Sequence, residues 1–84
     1  MTCHLLHRID HDLNMARFYR VEVTADLFGE HILEWRWGRI GGMGQHRSAS
    51  FPSTSSAEAA ASRLVRAKER RGYKPPDELY RLVL

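Results

Sequence analysis

The sequence carries one cysteine, three prolines and two lysines in 84 residues. A lone Cys3 cannot close an internal disulfide, which excludes a disulfide-stapled secreted scaffold and fits a reducing compartment. No apolar run approaches the roughly 18 residues of a membrane-spanning helix. Residues 1–7 lack the basic start and long apolar stretch of a secretory signal. A cytoplasmic location with no membrane contact is therefore expected. A chain this short buries only about 60–65% of its unfolded surface, which leaves little room for an enclosed active site beside a cofactor fold. One non-catalytic domain over residues 1–84 is expected, with a core at about 4–74, a tail at 75–84 and no cofactor.

What is present is arginine. Eleven of the thirteen basic residues are Arg, and only Lys68 and Lys74 are Lys. The guanidinium offers a planar fork that grips phosphate through two donors and stacks on flat rings. Residues 1–34 hold three basic and six acidic groups, a balance of −3, whereas residues 35–84 hold ten and four, a balance of +6. A cationic half beside an anionic one points to a polyanion-binding face. Arg-rich composition also arises without any such role.

The chain reads as alternating strands followed by one helix. His4 to Asp10 fits a short edge strand, and Asp10 to Asn14 a turn. From Arg17 to Ala25 the residues Tyr19, Val21, Val23 and Ala25 share one face, while Phe18, Arg20, Glu22 and Thr24 share the other, a period of two that specifies a strand. Residues 27–30 fit a hairpin connection. His31 to Ile40 is a second clear strand, with Leu33, Trp35 and Trp37 on one parity. Residues 41–44 are too glycine-rich for anything but a turn, and Gln45 to Phe51 returns as a further strand that Pro52 ends. Ser55 and Glu58 have the S-x-x-E spacing of a helix capping box. Ala57, Ala60, Ala61, Leu64, Val65 and Lys68 then recur at helical spacing, with Arg63, Arg66 and Arg70 on a neighbouring solvated stripe. Gly72 at the C′ position and Pro75-Pro76 stop the helix. Leu79 to Leu84 fits a final strand or a tail packed on the sheet or on a second copy. The fold class is α+β, a small antiparallel meander of three to five strands with one helix across it.

Two tryptophans, two arginines and a glycine turn crowd residues 35–42. By alternation both Trp35 and Trp37 belong to the core. Gly38 beside Trp37 permits a bulge or the close approach of another backbone, and a bulge would turn Trp37 or Arg39 outward. An exposed Trp beside an Arg stacks on a sugar or base while the guanidinium holds phosphate.

The string Trp37-Gly38-Arg39-Ile40-Gly41-Gly42-Met43-Gly44-Gln45 resembles the WGR domain family, which is named for its first three residues. Arg17-Phe18-Tyr19 is similar to the family's earlier strand, and Phe51 before an Ala-rich helix to its next element, so the likeness covers about 4–74. The family occurs in poly(ADP-ribose) polymerases, in bacterial molybdate-metabolism regulators and in small stand-alone bacterial proteins. The resemblance implies a DNA-binding module, specific for ends or nicks with a 5′ phosphate, and no catalysis by the domain itself. It implies that Trp37 packs on the terminal nucleotide, that Arg39 lies at the DNA or an interdomain contact, that Gly38 keeps the approach open, and that Arg17 and Tyr73 reach the phosphate. Charge and placement add Arg47 and Lys74 to the nucleic-acid-binding set.

Other chemistry is weaker. Cys3, His4, His7 and His11 match no closed four-ligand zinc spacing, so no metal is expected. Gly38 to Gly44 lacks the Lys-Ser/Thr pair of a nucleotide-binding loop and joins two strands. A different class stays open, a protein–protein adaptor docked on a larger enzyme, with Trp37 and Arg39 as its hot spot and the 79–84 tail as apolar surface. A monomer or a weak homodimer is compatible with either reading.

Overall fold

Period-two alternation builds most of the molecule. The computed structural model describes residues 2–26 and 28–76. The elements are β1 (Thr2–Asp10), β2 (Met15–Ala25), β3 (His31–Arg39), β4 (Gln45–Phe51) and α1 (Thr54–Glu69). The strands pair antiparallel in the order β1-β2-β3-β4. This is the α+β meander expected, with four strands. The segment 79–84, expected as a strand or tail, lies outside the described residues.

Strand β1 is longer than its pattern indicated, because Thr2 and Cys3 already pair with Val23 and Glu22. Its outer edge is partly closed by the chain returning from the helix. The His7 amide donates to the Lys74 carbonyl at 2.8 Å, and the Lys74 amide donates to the His7 carbonyl at 2.9 Å.

The inward parity of each strand makes one apolar face. Leu6, Tyr19, Val21, Val23 and Leu33 are buried there against Ala57, Ala60 and Ala61 of α1. Alanine lets the helix backbone lie close to the sheet, so the large residues come from the strands. Trp35, Trp37, Phe51, Leu64 and Val65 pack at the margin of this core and are half-buried. On the opposite face like charges stand directly across from one another, Arg20 from Arg36 and Glu22 from Glu34. The ion pair from Arg20 to Glu22, at 2.7 Å along the same strand, offsets part of that repulsion. Arg36 Nη1 donates to the Met43 carbonyl at 3.2 Å and so ties the strand to the following turn.

The helix begins two residues earlier than the capping-box spacing implied. Ser53 is the N-cap, and its hydroxyl accepts from the Ser56 amide at 3.1 Å while the Ser56 hydroxyl donates to the Ser53 carbonyl at 3.0 Å. Four consecutive hydroxyl residues, 53–56, offered the backbone several caps. Pro52 ends the strand immediately before the first of them, and that decides the choice. Glu58 instead accepts a hydrogen bond from the Thr2 hydroxyl and ties the helix start to β1. At the other end Arg70 is the C-cap, so Gly72 sits two residues beyond it.

Candidate functional site

Register brings together residues that lie far apart in sequence. The β1–β2 pairing sets Arg8 opposite Arg17, and the β2–β3 pairing sets Arg17 opposite Arg39. Three arginines therefore share one rung, on the parity of the helix-covered face and at the end of the sheet where α1 stops. Directly opposed residues have Cβ atoms about 4.5–5.5 Å apart, and like charges so placed repel. None of the three has an ion-pair partner among the described residues, where the one such pair is Arg20–Glu22 on the other face.

A cleft of about 560 Å³ opens beside this rung. Arg17, Trp37, Gly38, Arg39, Lys68 and Tyr73 line it, and the turn and strand start at residues 13–16 close one side. No carboxylate is among these lining residues. Four of the six acidic residues of the first half are placed elsewhere. Asp10 Oδ1 accepts from the Asp12 and Leu13 amides, and Asp26 Oδ1 accepts from the Phe28 and Glu30 amides. Glu22 and Glu34 lie on the far face.

Lys68 is the element of this cleft that sequence reading missed. Its ammonium nitrogen stands 4.8 Å from the Tyr19 ring centroid and 5.3 Å from that of Tyr73, within reach of a cation–π interaction. The two rings meet edge to face, 6.3 Å apart at 68°. Burial, and then the charges of Arg71 and Arg17, lower the Lys68 pKa below the ordinary lysine value. Burial, and then Tyr73, raise that of the Tyr19 phenol. The available signal was its spacing. Lys68 follows Leu64 by four residues and Val65 by three, which puts a cation on the packed stripe of the helix.

Trp37 sits two rungs inward on the same face, between Tyr19 and Gln45, and is half-buried. The β2–β3 register runs unbroken from Arg17↔Arg39 to Ala25↔His31. No bulge turns Trp37 or Arg39 to the other face, and both keep the parity of Trp35. What the glycine at 38 admits is a second backbone. A Cβ on Gly38 would stand 2.7 Å from the Gly44 Cα, and a Cβ on Gly44 would stand 2.3 Å from the Trp37 carbonyl oxygen. The Phe18 side chain closes over both glycines from the far face. The turn thus grips the strand at the residue whose side chain lines the cleft.

The remaining candidates separate. Arg47 is exposed on β4 directly opposite Trp35, and lines an adjoining cleft of about 240 Å³ with Tyr19, Trp35, Trp37 and Lys68. Tyr73 is buried and walls the main cleft. Lys74 is exposed at the β1 edge, where its backbone pairs with His7, and it lines neither cleft.

Comparison with known proteins bears out the family resemblance. The WGR domain profile matches residues 2–79. A protein of Sinorhizobium fredii, the uncharacterized protein y4dW, is 38% identical over 74 residues, which cover 88% of this chain and 36% of that protein. The chain thus spans little more than a third of the length of that relative. No solved structure matches significantly. Among the described residues, no helix is long and apolar enough to cross a membrane.

Proposed function

The chain belongs to the WGR domain family, and from that premise we propose that it is a nucleic-acid-binding module whose main cleft takes the 5′-phosphorylated end of a DNA strand. One observation carries the reading. Arg17 and Arg39 face each other across one rung, with Lys68 bordering the same cleft and no carboxylate among the described residues that line it. Left alone, this arrangement costs free energy through like-charge repulsion and burial of the Lys68 ammonium. A phosphate bridging the three cations relieves both costs at once, so the unliganded strain becomes affinity.

The proposed roles follow from position. Arg17 and Arg39 supply guanidinium forks to phosphate oxygens, and Lys68 supplies a point charge from the helix side. Tyr19 and Tyr73 fix that ammonium. The Trp37 ring lies against the terminal sugar or base, where a flat face stacks without regard to sequence. The basic surplus of residues 35–84 steers the approach. Contacts to phosphate position a ligand and carry no sequence code, so preference for an end over a sequence is the natural product. Arg47 extends the cationic surface along β4.

The test is a titration of a labelled blunt duplex, with and without a 5′ phosphate, at two salt concentrations. Each phosphate neutralised steepens the log–log salt slope by about 0.9, so the single 5′ phosphate held by Arg17, Arg39 and Lys68 contributes about −0.9. Trp37→Ala and Arg39→Ala are each expected to weaken binding and to erase the phosphate preference. Absence of binding at low salt would sink the proposal. A second reading, docking on a protein, draws on Leu13 and Met43, which are 64% and 82% exposed in the two turns at this end of the sheet. Salt-insensitive binding to a protein partner, with no affinity for DNA, would favour it.

A further inference from the structure

The main cleft does not end at Trp37. Trp37 and Lys68 also border the adjoining cleft, and Trp35 then borders a third, of about 220 Å³, between α1 and β4. Successive clefts share wall residues, so the three lie in series as a trench along the margin of the sheet that the described residues leave open. Its floor is β3, with Trp37, Trp35 and Leu33 at every second residue. A strand rises about 3.3 Å per residue, so the two indoles are spaced about 7 Å along it. The helix wall carries Arg63, Leu64 and Lys68, and the β4 wall carries Arg47 and Phe51. Among the described residues, no Asp or Glu lines any part of the trench.

We propose that this trench is a single-strand track, and that it holds unpaired nucleotides running on from the DNA end. The proposal rests on the duplex-end reading above and extends it to the substrate's shape. Its warrant is the alternation of half-buried aromatic faces with cations, the pairing that holds single strands without sequence preference. Buried aromatics alone would make a core, and exposed cations alone would make a solvated edge. Here Arg47 stands directly across from Trp35 on the same face, so one nucleotide meets a ring and a guanidinium together. The geometry also sets polarity. A strand whose 5′ phosphate is held by Arg17, Arg39 and Lys68 has no nucleotide beyond that point. Only the complementary strand can continue, and it does so as a 3′ extension.

The experiment compares three fluorescently labelled ligands on the full chain: a 5′-phosphorylated blunt duplex, the same duplex with a short 3′ oligothymidine extension, and oligothymidine alone. Stacking of one base on an aromatic ring gives at least about a fivefold gain for the extended duplex over the blunt one. Trp35→Leu, checked as folded by its thermal transition, is expected to bind the blunt duplex as wild type does and to lose that gain. Arg47→Gln is expected to reduce the gain and its salt dependence. Blunt-duplex binding with no gain from the extension, or a gain that survives in folded Trp35→Leu, overturns the track while leaving the duplex-end reading intact. Trp35-dependent binding of oligothymidine without any duplex binding keeps the track and removes the duplex-end reading. If no ligand binds, both fall.

Discussion

Gly44→Ala probes whether the turn after β3 holds the site in place. Gly44 has φ of 72°, a left-handed conformation that costs a residue with a Cβ about 1–2 kcal/mol. The added methyl would also stand 2.3 Å from the Trp37 carbonyl oxygen and 2.9 Å from Phe18 Cζ. The carbonyl belongs to a paired strand and cannot rotate away, so overpacking adds about 1–3 kcal/mol. The sum, about 2–5 kcal/mol, is a large share of the roughly 5–15 kcal/mol that stabilises a domain. At about 4–8 °C per kcal/mol for a domain of this size, Tm falls by at least about 8 °C. Gly41→Ala is the matched control. Gly41 has φ of 91°, yet nothing lies within 4 Å of a Cβ built there. It carries the conformational cost alone, and its Tm falls by about half as much. Thermal denaturation followed by circular dichroism reads the difference, which isolates the clash. Where both variants remain folded, Gly44→Ala is also expected to bind DNA more weakly than Gly41→Ala, because the strand relaxes by moving Trp37. Equal melting temperatures for the two variants would refute the close approach of the turn to the strand.

Ser53→Ala removes the helix cap and is expected to cost about 1 kcal/mol, whereas Ser55→Ala changes stability by less than about 0.5 kcal/mol; the reverse order in thermal melts would return the cap to Ser55. Lys68→Met tests the sign of a lowered pKa. The folded state disfavours the Lys68 charge at pH below that lowered value, and the penalty fades as pH rises through it toward the ordinary lysine value. The variant is therefore expected to melt no lower than wild type at neutral pH, with the difference shrinking in alkali, while its duplex affinity falls. A clear loss of stability at neutral pH would mean that the contacts to Tyr19 and Tyr73 outweigh burial and repulsion. Arg17→Gln and Arg39→Gln are each expected to weaken binding of the 5′-phosphorylated duplex and to narrow its advantage over the unphosphorylated one, measured as Kd for the two ligands, and an unchanged advantage would place the phosphate elsewhere.

Strands β2 and β3 were legible because alternation of large apolar residues runs through most of their length. Strand β1 was harder to bound, since Leu6 is its only inward residue that is both large and apolar, among Thr2, His4 and Arg8. The helix was legible from its alanines, but its start was not, because residues 53–56 all have capping hydroxyls. The family motif located Trp37, Gly38 and Arg39 in one cleft with Arg17. The rung that opposes Arg17 to Arg39 is a property of register, and a one-residue slip would have put them on opposite faces. Helical spacing placed Lys68 on the packed stripe but not beside Arg17 and Tyr19, because which strands that stripe meets is set by tertiary packing. Lys74 was a candidate on charge, and its position at the β1 edge depends on a backbone pairing with His7 that no local pattern announces. Trp35 followed the core parity and is half-buried, since α1 leaves the β3–β4 margin partly open.

The most direct test of the central claim is a ¹H–¹⁵N correlation spectrum recorded while a 5′-phosphorylated blunt duplex is added. The account predicts that the Trp37 indole N–H and the Arg17, Gly38 and Arg39 amides shift first and saturate together. Shifts confined to the opposite face of the sheet, around Glu22 and Glu34, or no shifts at low salt, would contradict it.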